Sequence, residues 1–364
     1  MSDGPLLNDV TRAFAEAHRN EDVRDLALKT KRTADLDLPA ALDQIAGWQI
    51  ARNKLPQWAA CADIVYPAHI SMEQCSSQFT AQYKAEIARR LLRSLPQSAG
   101  QTANDATMTD LTGGFGVDFS YLAREFGHAT YVERQSHLCE LAAHNMAALG
   151  LTQAQMVCGD GVEYLRAMEP AQLIYIDPAR RDEHGARTYA IEDCTPDALA
   201  LRDLLLAKAR YVMIKLSPML DWRKAVDDFA GTVAEVHIVS TGNECKELLL
   251  VLDGKAAGAT SDAAAADTRA PHVYCVNDDQ RLDYDAELLL AHTADCASRA
   301  SATVWGRAAA ARAALPVRAE RVDHEGRLLR RGGSAIRGGA DRPEQPPVRI
   351  GRAGRWFSGA RFCD

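Results

Sequence analysis

Hydrophobic residues recur at helical spacing through much of the first hundred residues. Phe79, Tyr83, Ile87 and Leu91 follow one another at intervals of four, and Ser76 or Ser77 can cap the helix that they define. Prolines at four places divide the preceding stretch into short pieces: Pro39, Pro56, Pro67 and Pro96. The pattern predicts an N-terminal helical domain over residues 1–100.

From Thr107 onward, short apolar runs alternate with helical segments. The predicted strands cover residues 107–111, 129–133, 155–158, 173–177, 211–216, 233–239 and 247–252. The predicted helices between them cover residues 117–126, 136–149, 161–168, 195–208 and 221–229. Strand–helix alternation is typical of a parallel sheet with helices on both faces. The connection between the last two strands is too short for a helical crossover and favours antiparallel pairing. The prediction is a doubly wound, seven-stranded α/β sheet with its last strand antiparallel, over residues 101–254.

The pattern weakens after residue 254. Residues 255–270 are rich in alanine, glycine, threonine and aspartate, which is typical of a linker. A short strand at residues 272–276 and a helix at residues 286–297 are the only further elements predicted. The remaining chain is rich in arginine and glycine without apolar periodicity, and we expect an irregular, largely disordered tail.

Composition narrows the class of protein. Hydrophobic residues make up 47% of the 364 residues, charged residues make up 25%, and the net charge is −7. No apolar stretch is long enough to span a membrane and the first residues do not resemble a secretory signal, so we expect a cytoplasmic protein. The acidic balance excludes a chain-wide basic surface and leaves a local basic cleft possible. The nine cysteines form no Cys-x-x-Cys pair, so no metal site is expected.

A glycine-rich turn follows the first predicted strand. It reads Asp110-Leu-Thr-Gly-Gly-Phe-Gly116. Glycines let the backbone approach a ligand closely, and the amides of the following helix favour an electron-rich group. The spacing differs from the Gly-x-Gly-x-x-Gly fingerprint of dinucleotide-binding proteins. Asp110 can order the amides of the turn and attract an ammonium group of the ligand. A tight connection without a ligand is the alternative.

Two further carboxylates follow the next two strands. Glu133 ends the second strand, where a carboxylate can accept hydrogen bonds from both hydroxyls of a ribose. Asp160 follows the third strand, where it can accept from the exocyclic amine of adenine, cap the following helix, or do both.

The fourth predicted strand ends in Asp177-Pro-Ala-Arg180-Arg181. Open α/β sheets bind ligands at this carboxyl edge. Asp177 can orient or deprotonate an acceptor nitrogen or oxygen, and Pro178 stiffens the exit from the strand. Arg180 and Arg181 can hold a phosphate, although a solvated loop explains them equally well.

In order and spacing, these four motifs resemble those of class I S-adenosylmethionine-dependent methyltransferases. Four phrases narrow the resemblance to the bacterial methyltransferases that carry a ferredoxin-like segment and a THUMP-like domain after the catalytic domain. These phrases are Glu73-Gln-Cys-Ser-Ser-Gln-Phe-Thr-Ala-Gln-Tyr83-Lys84, Asp177-Pro-Ala-Arg180, Lys215-Leu-Ser-Pro-Met-Leu-Asp221 and Asn243-Glu-Cys-Lys-Glu247. The resemblance implies S-adenosylmethionine as cofactor and RNA, a tRNA or rRNA base, as substrate.

The resemblance also implies roles for individual residues. The cofactor would be held by Asp110, Thr112, Gly113, Gly114, Gly116, Glu133 and Asp160, with Tyr83 and Lys84 over its methionine end. Asp177 and Pro178 would face the acceptor, and Arg180, Arg181 and Lys215 would bind the substrate. For Tyr83 and Lys84, simple helix packing is the alternative.

The sequence departs from the resemblance at two places. Enzymes that methylate exocyclic amines of bases carry an aromatic residue after the Asp-Pro motif, where this chain has Ala179 and Arg180, although Tyr189 could substitute. The expected THUMP-like continuation does not appear after Ala297, which suggests a degraded or truncated ferredoxin/THUMP-like region over residues 271–364. A non-catalytic, cofactor-binding, RNA-associated module is therefore the alternative function, and a nicotinamide-dependent dehydrogenase is a weaker one.

Overall fold

Helices are the regular secondary structure of the described residues that precede the first strand. A computed structural model describes residues 6–96, 105–179, 191–254 and 270–286. In the first of these ranges the helices are α1 (Asp9–His18), α2 (Val23–Lys29), α3 (Leu38–Lys54), α4 (Pro56–Ala59), α5 (His69–Gln74) and α6 (Gln78–Ser94). The side chain of Ser77 accepts a hydrogen bond from Thr80 N at 3.2 Å, so Ser77 rather than Ser76 caps α6. The helical character predicted for this region is confirmed.

Nine strands form one sheet within the described residues. They are β1 (Thr107–Asp110), β2 (His128–Glu133), β3 (Ala154–Cys158), β4 (Ala171–Ile176), β5 (Ala209–Leu216), β6 (Val233–Thr241), β7 (Glu244–Asp253), β8 (His272–Asn277) and β9 (Gln280–Asp285). The helices between them are α7 (Val117–Leu122), α8 (Ser136–Ala148), α9 (Gly161–Ala167), α10 (Arg202–Lys208) and α11 (Trp222–Asp228). The strand order is β3-β2-β1-β4-β5-β7-β6-β8-β9.

The topology of the sheet places the site. Strands β1 to β5 are parallel, and the order reverses at β1, which lies between β2 and β4. In open α/β sheets, ligands bind at the carboxyl ends of the strands beside such a reversal. Strand β7 lies between β5 and β6 and is antiparallel to both, as the short connection predicted.

The prediction of seven strands is wrong, because β8 and β9 extend the same sheet. Strand β8 pairs in parallel with β6, and β9 pairs antiparallel with β8. The strand predicted at residues 272–276 is confirmed, but β9 has only Leu282 and Tyr284 as apolar positions and gives a weak strand pattern. Pairing with β8 forms β9 in spite of that pattern. The predicted helix at residues 286–297, beyond Ala286, and the tail that follows it lie outside the described residues.

Alternate residues of the central strands pack on opposite faces of the sheet. Leu173 and Tyr175 join a core that contains α6, α7 and α8, whereas Ile174 and Ile176 join a core with α10 and α11. Trp58 of α4 and Met72 of α5 lie in the first of these cores. Burial of each large apolar side chain contributes about 1.5–3 kcal/mol. The N-terminal helices therefore share a core with the sheet that carries the site.

One predicted helix begins later than expected. Residues 195–208 were expected to form a helix capped by Thr195, but α10 begins at Arg202. The backbone N–H of Thr195 donates to Ala179 O at 3.0 Å, and Ala179 N donates to Thr195 O at 2.7 Å. This short bridge uses the backbone groups that a helix cap at Thr195 would need.

Candidate active site

The glycine-rich turn requires glycine at several positions. Gly114 and Gly116 have φ of +54° and +87°, which side-chain-bearing residues rarely adopt. A Cβ at Gly113 would lie 2.1 Å from the ring of Tyr131. Asp110 is buried at the end of β1 and accepts a hydrogen bond from Thr112 N at 2.9 Å. Burial raises the pKa of Asp110 well above its usual range.

Glu133 ties the end of β2 to this turn. One carboxylate oxygen accepts from Gly114 N at 3.0 Å, and the other accepts from Gln135 N at 2.9 Å. Strands β1 and β2 are parallel neighbours, so the acid that ends β2 reaches the turn after β1. A carboxylate oxygen has further lone pairs after accepting one bond, so Glu133 can still accept from ligand hydroxyls.

Asp160 caps α9, as one of its two predicted roles required. It accepts from Val162 N at 2.8 Å and Glu163 N at 3.0 Å, and it is exposed. Beside it, Gly159 N donates to Glu133 O at 2.9 Å, which brings the ends of β2 and β3 together. A Cβ at Gly159 would meet nothing within 4 Å, so open space lies beside the backbone between the end of β3 and Asp160.

Asp177 is attached to the glycine-rich turn and to β5. Its backbone N–H donates to Thr112 Oγ1 at 2.7 Å, and Lys215 Nζ donates to its Oδ2 at 2.6 Å. The Asp177 side chain remains 38% exposed. Pro178, which follows it, is buried. The structure therefore brings Thr112, Asp177 and Lys215 into direct contact.

An ionic cluster extends from Asp177 into the interior of the protein. We use this name for Lys84, Asp118, Asp177, Lys215 and Glu247. Lys84 Nζ lies 2.5 and 2.6 Å from the two oxygens of Glu247 and 3.2 Å from Asp118 Oδ1. Lys215 Nζ lies 3.8 Å from Asp118 Oδ2. Three carboxylates thus meet two ammonium groups, and the cluster connects α6, α7, β5 and β7 with the end of β4.

Asp118 has further partners. Its Oδ2 accepts from Ser76 Oγ at 2.7 Å and from the hydroxyl of Tyr175 at 2.8 Å. Burial alone would raise the pKa of Asp118, but Lys84 and Lys215 outweigh it and lower the pKa. Burial likewise opposes the charge of Lys215, but Asp177 and Asp118 raise its pKa above the usual range. The pairing therefore favours the charged forms of Asp118 and Lys215.

Sequence reasoning missed Asp118 as a site residue. It lies two positions after Gly116, in the first turn of the helix that follows the glycine-rich turn. That position could have indicated a site residue, because helix N-termini favour acids and face bound ligands. Glu247 appeared only within a quoted motif, since its partner Lys84 is 163 positions away in the chain.

Tyr83 and Lys84 are neighbours on α6 with different surroundings. Lys84 enters the ionic cluster, whereas the Tyr83 hydroxyl pairs with His237 Nδ1 on β6 at 2.9 Å. Their predicted contacts with a cofactor stay predictions. Arg180, Arg181 and Tyr189 lie outside the described residues. Within the described ranges, no group of three His, Cys, Asp or Glu side chains is arranged to hold a metal ion. No helix there is long and apolar enough to cross a membrane.

Comparison with known proteins gives structural similarity alone. No protein-family profile matches the chain, and no curated protein matches it. The structure of a "putative methyltransferase from Porphyromonas gingivalis W83" is similar over 79% of this chain and 68% of that chain, with 27% identity and a TM-score of 0.62.

Two other structures match less well. The "SAM Dependent Methyltransferase from Agrobacterium tumefaciens" has 17% identity and a TM-score of 0.36, covering 47% of this chain and 61% of that chain. A "rRNA Methylase from Streptococcus thermophilus" has 14% identity and a TM-score of 0.33, covering 48% of this chain and 93% of that chain. Because both TM-scores are below 0.5, neither of these two structures carries an argument about the fold. This chain is an α/β protein with a mixed sheet and a parallel core, similar in fold to the Porphyromonas gingivalis protein.

Proposed function

We propose that this chain is an S-adenosylmethionine-dependent methyltransferase that acts on a base of RNA, in tRNA or rRNA. The observation that carries the proposal is the hydrogen bond from Asp177 N to Thr112 Oγ1 at 2.7 Å. It joins the proposed cofactor turn after β1 to the proposed acceptor residue after β4. The two halves of the proposed transfer site therefore adjoin at the reversal of the strand order, which supports the proposal.

The chemistry of the strand ends suits this cofactor. S-adenosylmethionine offers hydrogen-bond donors at its ribose hydroxyls, adenine amine and ammonium group, and it supplies a methyl group on a sulfonium. Glu133 and Asp160 offer carboxylate acceptors at two adjacent strand ends, and buried Asp110 at the end of β1 orders the turn through Thr112 N. Thr112, Gly113, Gly114 and Gly116 complete the proposed cradle.

The acceptor side depends on Asp177. In the proposed mechanism, Asp177 accepts a hydrogen bond from the acceptor group or takes its proton, so that the acceptor lone pair is aligned for transfer. Lys215 fixes one oxygen of Asp177 at 2.6 Å, and the Thr112 bond fixes its backbone. The other oxygen and the 38% exposure of the side chain leave Asp177 accessible to a substrate. Lys215 thus acts through Asp177 in this proposal, and Arg180 and Arg181 are proposed to hold a phosphate of the substrate.

The RNA substrate rests on the resemblance of the sequence motifs. The four motif phrases are similar to those of bacterial methyltransferases with a THUMP-like domain, a domain associated with RNA. The proposed RNA substrate is therefore independent of the geometry around Asp177. A base that is methylated at an edge atom would have to leave its stack to reach the end of β4.

Calorimetry and a transfer assay test the proposal. Titration with S-adenosylmethionine measures cofactor binding, and tritium incorporation into total bacterial RNA measures transfer. We expect wild type to do both and Asp177→Ala to bind the cofactor but transfer no methyl group. Asp193→Ala, which removes an exposed acid, serves as the control and should keep full activity. Full transfer by Asp177→Ala would refute the role of Asp177. Cofactor binding by wild type without any transfer would favour a non-catalytic, RNA-associated module.

A further inference from the structure

A groove of about 480 Å³ lies between α6 and the β8–β9 hairpin. Four arginines line it: Arg89, Arg90, Arg93 and Arg281. Two acids, Glu86 and Asp283, also line it, and Asp283 is paired with His272 at 2.9 Å. The groove thus brings four guanidinium groups together in a chain whose net charge is −7. We call this feature the arginine groove.

The fold places these arginines together. Arg89, Arg90 and Arg93 lie on the C-terminal half of α6, and Arg281 lies on β9, which forms the opposite wall. The guanidinium of Arg90 lies 5.1 Å from the ring centre of Tyr274, and that of Arg281 lies 5.5 Å from the ring centre of Tyr83. These ring contacts hold both guanidinium planes against the walls of the groove.

Three of the four arginines make bidentate pairs with carboxylates. Arg89 pairs with Glu125 at 2.8 and 2.7 Å. Both terminal nitrogens of Arg90 donate to Glu235, each at 2.6 Å. Arg281 pairs with Glu86 at 2.7 and 2.8 Å. A guanidinium has five N–H donors, and a bidentate pair uses two of them. Because these side chains are 49%, 44% and 54% exposed, donors remain available to a ligand.

Arg93 differs from the other three. It is exposed, and no carboxylate pairs with it among the described residues. Its charge is therefore uncompensated within the groove. An exposed arginine without a partner is usually only solvated. Arg93 is of interest because it lies beside three arginines whose remaining N–H donors are available to a ligand.

We propose that the arginine groove binds the phosphate backbone of the RNA substrate. Guanidinium groups match phosphate oxygens in a bidentate geometry, and several held in one groove can follow successive phosphates. The groove shares α6 with the ionic cluster, since Tyr83 faces the groove while Lys84 enters the cluster beside Asp177. A strand held in the groove would thus be positioned by the same helix that supports the proposed active site. The inference rests on the proposed function for the identity of the substrate.

Charge reversal at Arg93 tests the groove. Fluorescence anisotropy with a labelled 20-nucleotide oligouridylate, over a range of KCl concentrations, measures binding by the full chain. We expect Arg93→Glu to weaken binding about tenfold and to reduce the salt dependence by about one phosphate contact. Arg24→Glu is the matched control, because the substitution makes the same change in charge. Arg24 is exposed on α2 and does not line the groove. This variant should bind like wild type.

Several results would overturn the inference. The first is that wild type does not bind the oligonucleotide, and the second is that Arg93→Glu and Arg24→Glu bind it equally. The third is that polyglutamate displaces the RNA at the same concentration of charge as unlabelled RNA does. The last result would indicate an acidic peptide as the partner. Circular dichroism spectra that match wild type establish that both variants are folded.

The methyl-transfer assay separates this inference from the proposed function. If wild type binds RNA through Arg93 but transfers no methyl group, the arginine groove stands and the proposed function fails. If wild type methylates RNA and Arg93→Glu does so with unchanged KM, the groove fails and the proposed function stands.

Discussion

Lys215 Nζ lies 2.6 Å from Asp177 Oδ2, at the carboxyl ends of two neighbouring parallel strands. Ile214 and Ile176 are partners in the β5–β4 register, so the next residues of the two strands, Lys215 and Asp177, lie side by side. The acids around Lys215 raise its pKa above the usual range and keep it charged, despite its burial. The sheet register therefore places Lys215 beside Asp177, in surroundings that favour the charged form of the lysine.

Replacement of Lys215 tests whether it positions Asp177. Lys215→Met removes the ammonium group and leaves Asp177 free to rotate, so we expect kcat for methyl transfer to fall at least about tenfold. KM for S-adenosylmethionine should change little, because Lys215 contacts Asp177 and Asp118 rather than the glycine-rich turn. Lys215→Arg keeps the charge and should recover part of kcat. Equal losses in kcat for the Met and Arg variants would contradict a role that depends on the charge.

Lys84 is the buried cation on which the rest of the cluster depends. Its side chain is fully buried, and Lys84→Met would leave Glu247 and Asp118 without their nearest cation. Breaking such a buried pair costs about 3–5 kcal/mol of unfolding free energy, which chemical denaturation measures. The double variant Lys84→Met/Glu247→Gln also removes the orphaned charge and should recover part of the loss. A loss below about 1 kcal/mol in the single variant would show that the cluster does not stabilise the fold.

The sequence predicts features that depend on neighbouring residues better than features that depend on distant ones. Strand β4 is predicted because it is a short apolar run, and the glycine-rich turn because its conformations require glycine. Glu133, Asp160 and Asp177 are predicted as strand-end acids, since parallel strands bring their carboxyl ends to one edge. The structure places all three at that edge.

Distant pairings account for what sequence reasoning missed. Lys84 and Glu247 form an ion pair across 163 positions, and nothing in either local pattern indicates the other. The local pattern around Thr195 likewise gives no indication of its backbone pairing with Ala179, which replaces the predicted helix start. Strand β9 forms because β8 offers it an unpaired edge, not because its own residues favour a strand.

Gly113 provides a test of the glycine-rich turn. In Gly113→Ala, the new Cβ would lie 2.1 Å from the Tyr131 ring, so either the ring or the turn must move. We expect the unfolding free energy to fall by about 1–3 kcal/mol and the affinity for S-adenosylmethionine to fall with it. Gly159→Ala is the control for stability, because its Cβ meets nothing within 4 Å and should change the unfolding free energy by less than about 0.5 kcal/mol. Equal stability of the two variants would contradict the contact with Tyr131.

His237 and His272 are expected to give opposite pH dependence of stability. Burial lowers the pKa of His237, so the folded chain binds fewer protons there than the unfolded chain does. Its contribution is present above the unfolded value of about 6.5 and is lost as the pH falls. Burial also opposes the charge of His272, but Asp285 and Asp283 outweigh it and raise the pKa. Its contribution is present below about 6.5 and is lost as the pH rises through the folded pKa.

Urea denaturation at pH 5.5 and 7.5 measures this difference in paired variants. His237→Gln removes the group that must stay neutral, so its stability should fall less on acidification than that of wild type. His272→Gln removes the group that gains from protonation, so its stability should fall more on acidification. The readout is whether the difference in unfolding free energy between the two pH values is smaller or larger than in wild type. That difference does not depend on how much the substitution destabilises the protein at both pH values. If His237→Gln retained the wild-type difference between the two pH values, His237 would not be the group that titrates on unfolding.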